Sequence, residues 1–171
     1  MDERHAYAIL GIFVLFGLWM YTINTVHIRR TALRKERLQT RVKTLCAWGA
    51  QQLGTLSLDT VGQQPSLAPF LASIERMRIG DEYLFILDTE GRTWADGSQE
   101  IGVRPTPKPE GTADEKNHTS PLSSILATAA RGGGFVTYNW KQPSTGDVKP
   151  KLAYVAPMPN TPLLIGSGTY A

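Results

Sequence analysis

Apolar and polar residues alternate along several short stretches in the second half of the chain. In Phe135–Trp140, for example, Val136, Tyr138 and Trp140 alternate with the other three residues. This period of two is typical of β-strands. This period, together with short apolar runs bounded by turn residues, predicts five strands, at about residues 83–88, 92–96, 134–141, 151–157 and 163–170. The turn-rich connections between the last three strands predict an antiparallel sheet.

Three other stretches have helical spacing. Apolar residues recur every three or four positions over residues 29–58 without an intervening proline, which predicts one long helix. Ser66 is expected to cap a second helix that runs to about Met77. A third helix is expected to begin at Ser120-Pro121 and to stop at Gly132. Together these elements predict an α+β fold, with a five-stranded antiparallel sheet and helices on one side over residues 66–171.

The most apolar stretch of the chain is Ala6–Val26, which has 21 residues and no charge. A helix of this length, rising about 1.5 Å per residue, can cross the roughly 30 Å hydrocarbon core of a membrane. The stretch is too long for a cleaved signal peptide, and no small-x-small cleavage site follows it. We therefore predict a short tail at residues 1–5, a single transmembrane anchor at 6–27 and one domain at 28–171.

Basic residues are concentrated directly after the predicted anchor. Seven Arg or Lys residues and one Glu lie between Arg29 and Lys43, so the net charge of +3 comes from this segment. Next to a membrane span, such a segment favours lipid headgroups over nucleic acid as its partner. The tendency of positive segments to stay inside would place the domain in the cytoplasm.

The sequence lacks the patterns that most catalytic sites require. Its one cysteine, Cys46, excludes an internal disulfide, and its three histidines are too scattered for a metal site. No nucleophile elbow, phosphate loop or supported carboxylate pair is found. Gly132–Gly134 precedes a strand and not a helix, so its expected role is to free the backbone there. We expect no catalytic residues, no metal and no cofactor.

Four strings in the second half of the chain resemble one known pattern. They are Arg78–Gly91, Gly134–Pro143, Lys151–Val155 and Ile165–Tyr170. Their glycine, aromatic and aspartate positions are similar to those of the single Cache domain, an extracytoplasmic ligand-sensing module of bacterial chemoreceptors and sensor kinases. The resemblance covers about residues 30–171 and implies a PAS-like fold.

The resemblance also bears on location. It implies a periplasmic domain held by one span in the inner membrane, against the positive-inside tendency, since long domains can be translocated despite their charge. Residues 102–120 depart from the family pattern, because they are rich in proline and charge. No ligand contact can be carried over to this segment.

A small-molecule site needs an apolar or aromatic wall with a few directed polar groups. Tyr138 and Trp140 share one strand face and supply rings with hydrogen-bond donors. Tyr83 and Tyr154 can do the same, and two nearby cations can hold a carboxylate. The candidate ligand-binding residues are Arg78, Tyr83, Tyr138, Trp140, Lys151 and Tyr154. The alternative is that they are core aromatics and solvated charges.

The strand period limits which of these residues can act together. Lys151 and Tyr154 fall on opposite faces of a regular strand, so both can line one pocket only if a bulge intervenes or one acts from the edge. Of the two, we prefer Tyr154.

The resemblance implies a sensor whose small ligand, an organic acid or amino acid, changes the sheet and thereby the long N-terminal helix. This helix can also form a homodimer, and a signalling partner protein is expected. Because the last predicted strand ends beside Ala171, we expect the input part of a larger receptor or a module that acts through a partner. The main alternative is a ligand-free structural module of an envelope complex, in which the rings would pack on one another.

Overall fold

The computed structural model describes residues 3–97 and 120–170, with the side chains described from residue 13 onward. It contains the helices α1 (Glu3–Leu53), α2 (Leu67–Arg76) and α3 (Pro121–Ala130), and a short 3₁₀ turn at Val61–Gln63. The strands are β1 (Tyr83–Asp88), β2 (Thr93–Asp96), β3 (Gly134–Lys141), β4 (Val148–Pro157) and β5 (Leu163–Tyr170). The chain divides into two compact units, Met1–Arg37 and Leu38–Ala171.

The five predicted strands are all present, and they form one sheet in the order β2-β1-β5-β4-β3. Every neighbouring pair is antiparallel. β4 begins at Val148, three residues before the predicted start. This extension lies beyond Tyr170, the last residue of β5, and pairs with β3 alone. Pro150 is tolerated there because the stretch has a strand on one side only.

One face of the sheet, which we call the helix face, packs against α1 and α2. From the sheet it includes Leu84, Ile86, Tyr154 and Ile165, which belong to the same buried cluster as residues of both helices. Gly49 allows α1 to approach closely, since a Cβ atom there would lie 2.8 Å from Met158 and Phe70. The burial of this face fixes the register of the strands.

The opposite face, which we call the cavity face, carries α3. Ile125 and Ala129 of α3 share a buried cluster with the alternate residues of the strands. The prediction of helices on one side of the sheet is therefore wrong. Apolar residues of α3 face a sheet that is apolar on both sides, and helical spacing does not specify which side is covered.

Two predicted helix boundaries also need correction. The long helix was expected to reach residue 58, but α1 ends at Leu53 because Gly54 adopts a φ of 66°, a helix-ending conformation. Ser66 does not cap α2 with its side chain, because its own backbone is already helical. Ser120, with an extended backbone, does cap α3 and accepts a hydrogen bond from the amide of Ser123 at 3.2 Å.

The first unit consists of the beginning of α1. Its large apolar side chains from Phe13 to Leu33 are exposed. In the part of the chain that the structure describes, no helix is both long and apolar enough to cross a membrane. The predicted span at Ala6–Val26 begins with seven residues, 6–12, whose side chains lie outside the described part.

Candidate ligand-binding cavity

A cavity of about 210 Å³ lies between the cavity face of the sheet and the start of α3. Its wall comes from β1, β2, β3, β4 and α3, and most of it is apolar. The lining residues are Tyr83, Phe85, Leu87, Thr93, Asp96, Ser120, Pro121, Leu122, Ile125, Tyr138, Trp140 and Lys151. At about 30 Å³ per water molecule, this space suits a ligand of only a few heavy atoms.

Lys151 is the basic residue among the described lining residues of this cavity, and it is only 1% exposed. Its Nζ lies 3.6 Å from the ring centroid of Tyr83. The rings of Phe85, Tyr170 and Tyr138 are 5.4, 5.7 and 5.8 Å away. Four rings thus surround the amine, and ring faces attract cations.

The amine of Lys151 has rings around it in place of an ion-pair partner. Among the described residues, no carboxylate lies within ion-pair distance of its Nζ. Burial lowers the pKa of Lys151 to about 7, and the negative charge of Asp96 acts weakly in the opposite direction. The amine can therefore gain or lose a proton near neutral pH.

Phenols and an indole supply the polar atoms of the wall. The hydroxyls of Tyr83 and Tyr170 lie 3.5 Å apart, and the latter donates to the carbonyl of Lys141 at 2.8 Å. Tyr138 packs edge-on against Trp140, with ring centroids 5.9 Å apart. Burial raises the pKa of both Tyr83 and Tyr138, so these phenols stay protonated and can donate hydrogen bonds.

Glycines of β5 make room for this arrangement. A Cβ atom on Gly168 would lie 2.5 Å from Cε of Lys151, and one on Gly166 would lie 2.2 Å from the ring of Phe85. The lysine stem therefore crosses directly over the backbone of β5. Any larger residue at position 168 would displace the amine from the rings.

The structure brings four of the six predicted site residues together and leaves two outside. Tyr83, Tyr138, Trp140 and Lys151 line the cavity. Tyr154 lies on the helix face, where its ring meets Phe135 with centroids 4.9 Å apart. The register of β3 and β4 is regular, so no bulge turns Tyr154 toward Lys151. The geometry favours Lys151, the reverse of the preference from the sequence.

Arg78, the other predicted cation, lies before β1 and is 36% exposed. Its Nε donates to the carbonyl of Gly80 at 2.7 Å, and its guanidinium lies 3.9 Å from Asp81. These contacts fix the turn that leads into β1. The nearby Asp81 carboxylate also balances the positive charge of Arg78 without a ligand.

Sequence reasoning missed several lining residues. Phe85 and Leu87 lie two and four residues after Tyr83 and therefore share its strand face. This spacing could have identified them as lining residues. Asp96 is paired with Phe85 across β1 and β2 and lines the cavity from the edge of the sheet. No local pattern indicated Asp96, since its position depends on the pairing of β2.

The chemistry of the described lining residues resembles that of a binding site. In the described part of the chain, no group of His, Cys, Asp and Glu residues is arranged to hold a metal ion. An aromatic wall with a few directed polar groups is a common arrangement in small-molecule sites.

Comparison with known proteins agrees with this arrangement. A family model described as "Cache domain" matches residues 62–171, well over half of the chain. The chain belongs to the Cache family. The match contains the whole sheet and all of the cavity. It begins later than the stretch of resemblance inferred from the sequence, which started at about residue 30.

Solved Cache domains have the same fold. A Cache chemosensory domain described for carboxylic acid recognition superposes with a TM-score of 0.64 and 19% identity, covering 85% of this chain and 98% of that one. The periplasmic sensor domain of a chemotaxis protein superposes with a TM-score of 0.62 and 22% sequence identity, covering 82% of this chain and 97% of that one. A methyl-accepting chemotaxis protein from Vibrio parahaemolyticus superposes with a TM-score of 0.61 and 18% sequence identity, covering 82% of this chain and 90% of that one.

One curated relative is similar over a short region. The sensor histidine kinase MctS of Rhizobium johnstonii is 37% identical over 49 residues, which is 29% of this chain. The match spans about a tenth of that protein's length, 11%. Cache domains are the ligand-binding parts of receptors of these two kinds, chemoreceptors and sensor kinases.

In this Cache domain an ion pair and a hydrogen bond join α1 to the residues just before β1. Arg41 of α1 donates to Oε1 of Glu82 at 2.5 Å and also to the carbonyl of Met77. Glu82 directly precedes Tyr83, which lines the cavity. Asp81, next to it, accepts hydrogen bonds from Gln142 and Ser144 in the β3–β4 loop. The turn before β1 thus contacts α1 through Glu82 and the β3–β4 loop through Asp81, and it leads directly into β1.

Proposed function

We propose that this Cache domain is a sensory module that binds a small carboxylate in the cavity beneath α3. The observation that carries the proposal is Lys151, a buried amine that faces a small cavity among aromatic rings without an ion-pair partner in the described residues. Burying a charged group costs free energy unless it is paired. A ligand carboxylate would supply that pair.

The other lining residues suit the same ligand. Tyr83, Tyr138 and Trp140 carry O–H and N–H donors that can bind the second carboxylate oxygen, and their rings can contact a short carbon chain. Among the described lining residues Lys151 is the one basic side chain, which matches one carboxylate. The volume of about 210 Å³ lies below the range of about 300–1,000 Å³ that is usual for drug-sized ligands. A short organic acid or a small amino acid fits these limits.

The ligand-free structural module is the competing function. It predicts that the aromatic rings pack on one another and leave no space. Tyr138 and Trp140 do pack edge-on, but the described rings also border a cavity with Lys151 in its wall. This remaining space supports the sensor.

The signal is proposed to pass from the sheet to α1. A ligand that contacts Tyr83 acts on the residue next to Glu82, and Glu82 is held by Arg41 of α1. A homodimer through α1 and a downstream kinase or chemotaxis partner would then receive the change. The relatives support this role, because one is a sensor histidine kinase and others are chemotaxis proteins.

We further propose that the domain faces the periplasm from an inner-membrane anchor at Ala6–Val26. The family supports the outer location, and the uncharged stretch supports the anchor. A C-terminal reporter that is active only in the cytoplasm tests the orientation, and activity there would reject it. Replacing Leu15 with Arg should weaken insertion by about 3 kcal/mol. Recovery of the unchanged chain wholly in the soluble fraction would reject the anchor.

Binding is tested by calorimetry of the purified full-length chain with short carboxylates and small amino acids. We expect at least one of these ligands to bind and to raise the melting temperature. Lys151→Met, which keeps most of the stem but removes the charge, should weaken binding at least tenfold. The matched control is Lys141→Met, because Lys141 is exposed and lies on the other face of the sheet.

Two results would contradict the proposal. Equal affinity of wild type and Lys151→Met, with both chains folded, would place the ligand elsewhere. A failure of every carboxylate and amino acid to bind or to stabilise the chain would favour the structural module.

A further inference from the structure

The groups around Lys151 determine the relative stability of the charged and neutral forms of its amine. β1 and β3 contribute Tyr83 and Tyr138, and β5 contributes Tyr170. All three phenols are neutral at ordinary pH, since burial raises the pKa of each. α3 contributes no titratable side chain. The ring faces attract a cation, but they replace only part of the hydration that burial removes.

Among the described residues, Asp96 is the charged group on the remaining side, on β2 at the edge of the sheet. Its negative charge favours the charged form of Lys151, but desolvation is the larger effect. The two side chains are not within ion-pair distance. Desolvation and the charge of Asp96 together hold the amine at a balance between its two forms near neutral pH.

A carboxylate beside the amine would change that balance. An opposite charge within a few ångströms favours the charged form strongly when both groups are buried. The neutral amine, in contrast, offers a carboxylate no charge to pair with. The bound state therefore requires the ammonium form.

We propose that ligand binding is coupled to the uptake of one proton at Nζ of Lys151, so that a weak acid enters the cavity together with its proton. This inference rests on the proposed function and specifies how the same site is regulated. The proton comes from solvent or from the acid itself, and no other bond changes. The net ligand is the neutral carboxylic acid, held as an ammonium–carboxylate pair.

The coupling gives the sensor a pH dependence of defined sign. Below pH about 7 the amine is already charged, and binding takes up few protons. Above that pH the apparent affinity should fall, by up to about tenfold per pH unit, until the pKa of the complex is reached. Such a sensor responds to acid and carboxylate together, and only weakly to the same carboxylate in alkaline medium.

The test is calorimetry of the full-length chain with acetate at pH 6, 7, 8 and 9, each in two buffers of different ionisation enthalpy. The difference in observed enthalpy gives the number of protons taken up. We expect about half a proton at pH 7, close to one at pH 8 to 9, and little at pH 6. Acetamide, which has the same size but no charge, should bind weakly and without proton uptake.

Lys151→Arg is the informative variant, because a guanidinium stays charged over this range. Its acetate binding should lose both the proton uptake and the fall in affinity above pH 7. Lys141→Arg is the control and should behave as wild type. If Lys151→Arg does not fold, the buffer dependence of the wild type still decides the question.

The outcomes separate the two proposals. Binding of acetate with no proton uptake at pH 8 would overturn the coupling and leave the proposed function in place. A second measurement needs no ligand: the ¹³Cε resonance of Lys151 should titrate near pH 7 in the free chain. Titration at its ordinary value, near 10.5, would also overturn the coupling. Absence of binding by every carboxylate at every pH would overturn both proposals.

Discussion

The two faces of the sheet are built from alternate residues of the same strands, yet they differ in kind. The helix face carries aliphatic residues such as Leu84, Ile86 and Ile165, packed against two helices. The cavity face carries rings, glycines and Lys151, and of the described helices the short α3 covers part of it. One face is filled, and the other retains a space of about 210 Å³.

This difference indicates that one face mainly stabilises the fold and that the other face is suited to binding. Close packing on the helix face supplies dispersion and burial of apolar surface. On the cavity face the same strands retain a buried amine, whose burial costs stability. We infer that the helix face maintains the fold, which allows the cavity face to keep groups that suit a ligand.

The strongest test of this comparison uses Ile86 and Leu87, which are neighbours on opposite faces. Ile86→Ala should lower the free energy of unfolding by about 2–5 kcal/mol, because Ile86 is fully buried and its removal leaves a cavity. Leu87→Ala should cost less, because Leu87 already borders a space. Chemical denaturation of both variants measures the difference. Equal losses would remove the distinction between the faces.

A second test concerns the stability cost of the buried amine. Lys151 has a pKa of about 7 in the fold and 10.5 as its ordinary value, so the unfolded chain binds the extra proton between these values. Stability of the wild type should therefore rise with pH across this window. Lys151→Met should be more stable by on the order of 5 kcal/mol at most below pH 7, and the gap should close toward pH 10.5.

The control for this second test is Lys141→Met, which should follow the wild type at every pH. Thermal and denaturant unfolding at pH 6, 8 and 10 provide the measurement. A gap between wild type and Lys151→Met that stays constant with pH would show that the amine keeps its ordinary pKa.

A third test concerns the link between the sheet and α1. Arg41→Met removes the hydrogen bonds to Glu82 and to the Met77 carbonyl, and should cost about 1–3 kcal/mol. Ligand affinity should change little, because Arg41 does not line the cavity. Lys43→Met, an exposed change on the same helix, is the control. An unchanged free energy of unfolding would mean that the link is not stabilising.

The smallest expected effect is on binding alone. Trp140→Ala should weaken ligand binding about tenfold, or about 1.4 kcal/mol, by removing ring contact and one donor. Its effect on stability should be small, since Trp140 is only partly buried on β3, at the edge of the sheet. Calorimetry and circular dichroism together check both statements. Full affinity in a folded variant would remove Trp140 from the site.

The sequence alone determined the elements and much of the candidate site. Apolar runs bounded by turn residues located all five strands. The period of two placed Tyr138 and Trp140 on one face, because backbone geometry sends successive side chains to opposite sides. The same rule separated Lys151 from Tyr154. Local chemistry also located α3, since Ser120 and Pro121 form a standard helix start.

Only the tertiary structure decided which face holds the cavity and what surrounds each charge. Strand parity does not say which side a later helix covers, so α3 was placed wrongly and Tyr154 was preferred over Lys151. The burial of Lys151 depends on Tyr83, Gly168 and Tyr170, which reach it through strand pairing. Asp96 lines the cavity for the same reason. Desolvation and charge are properties of neighbours distant in the sequence, so local patterns do not contain them.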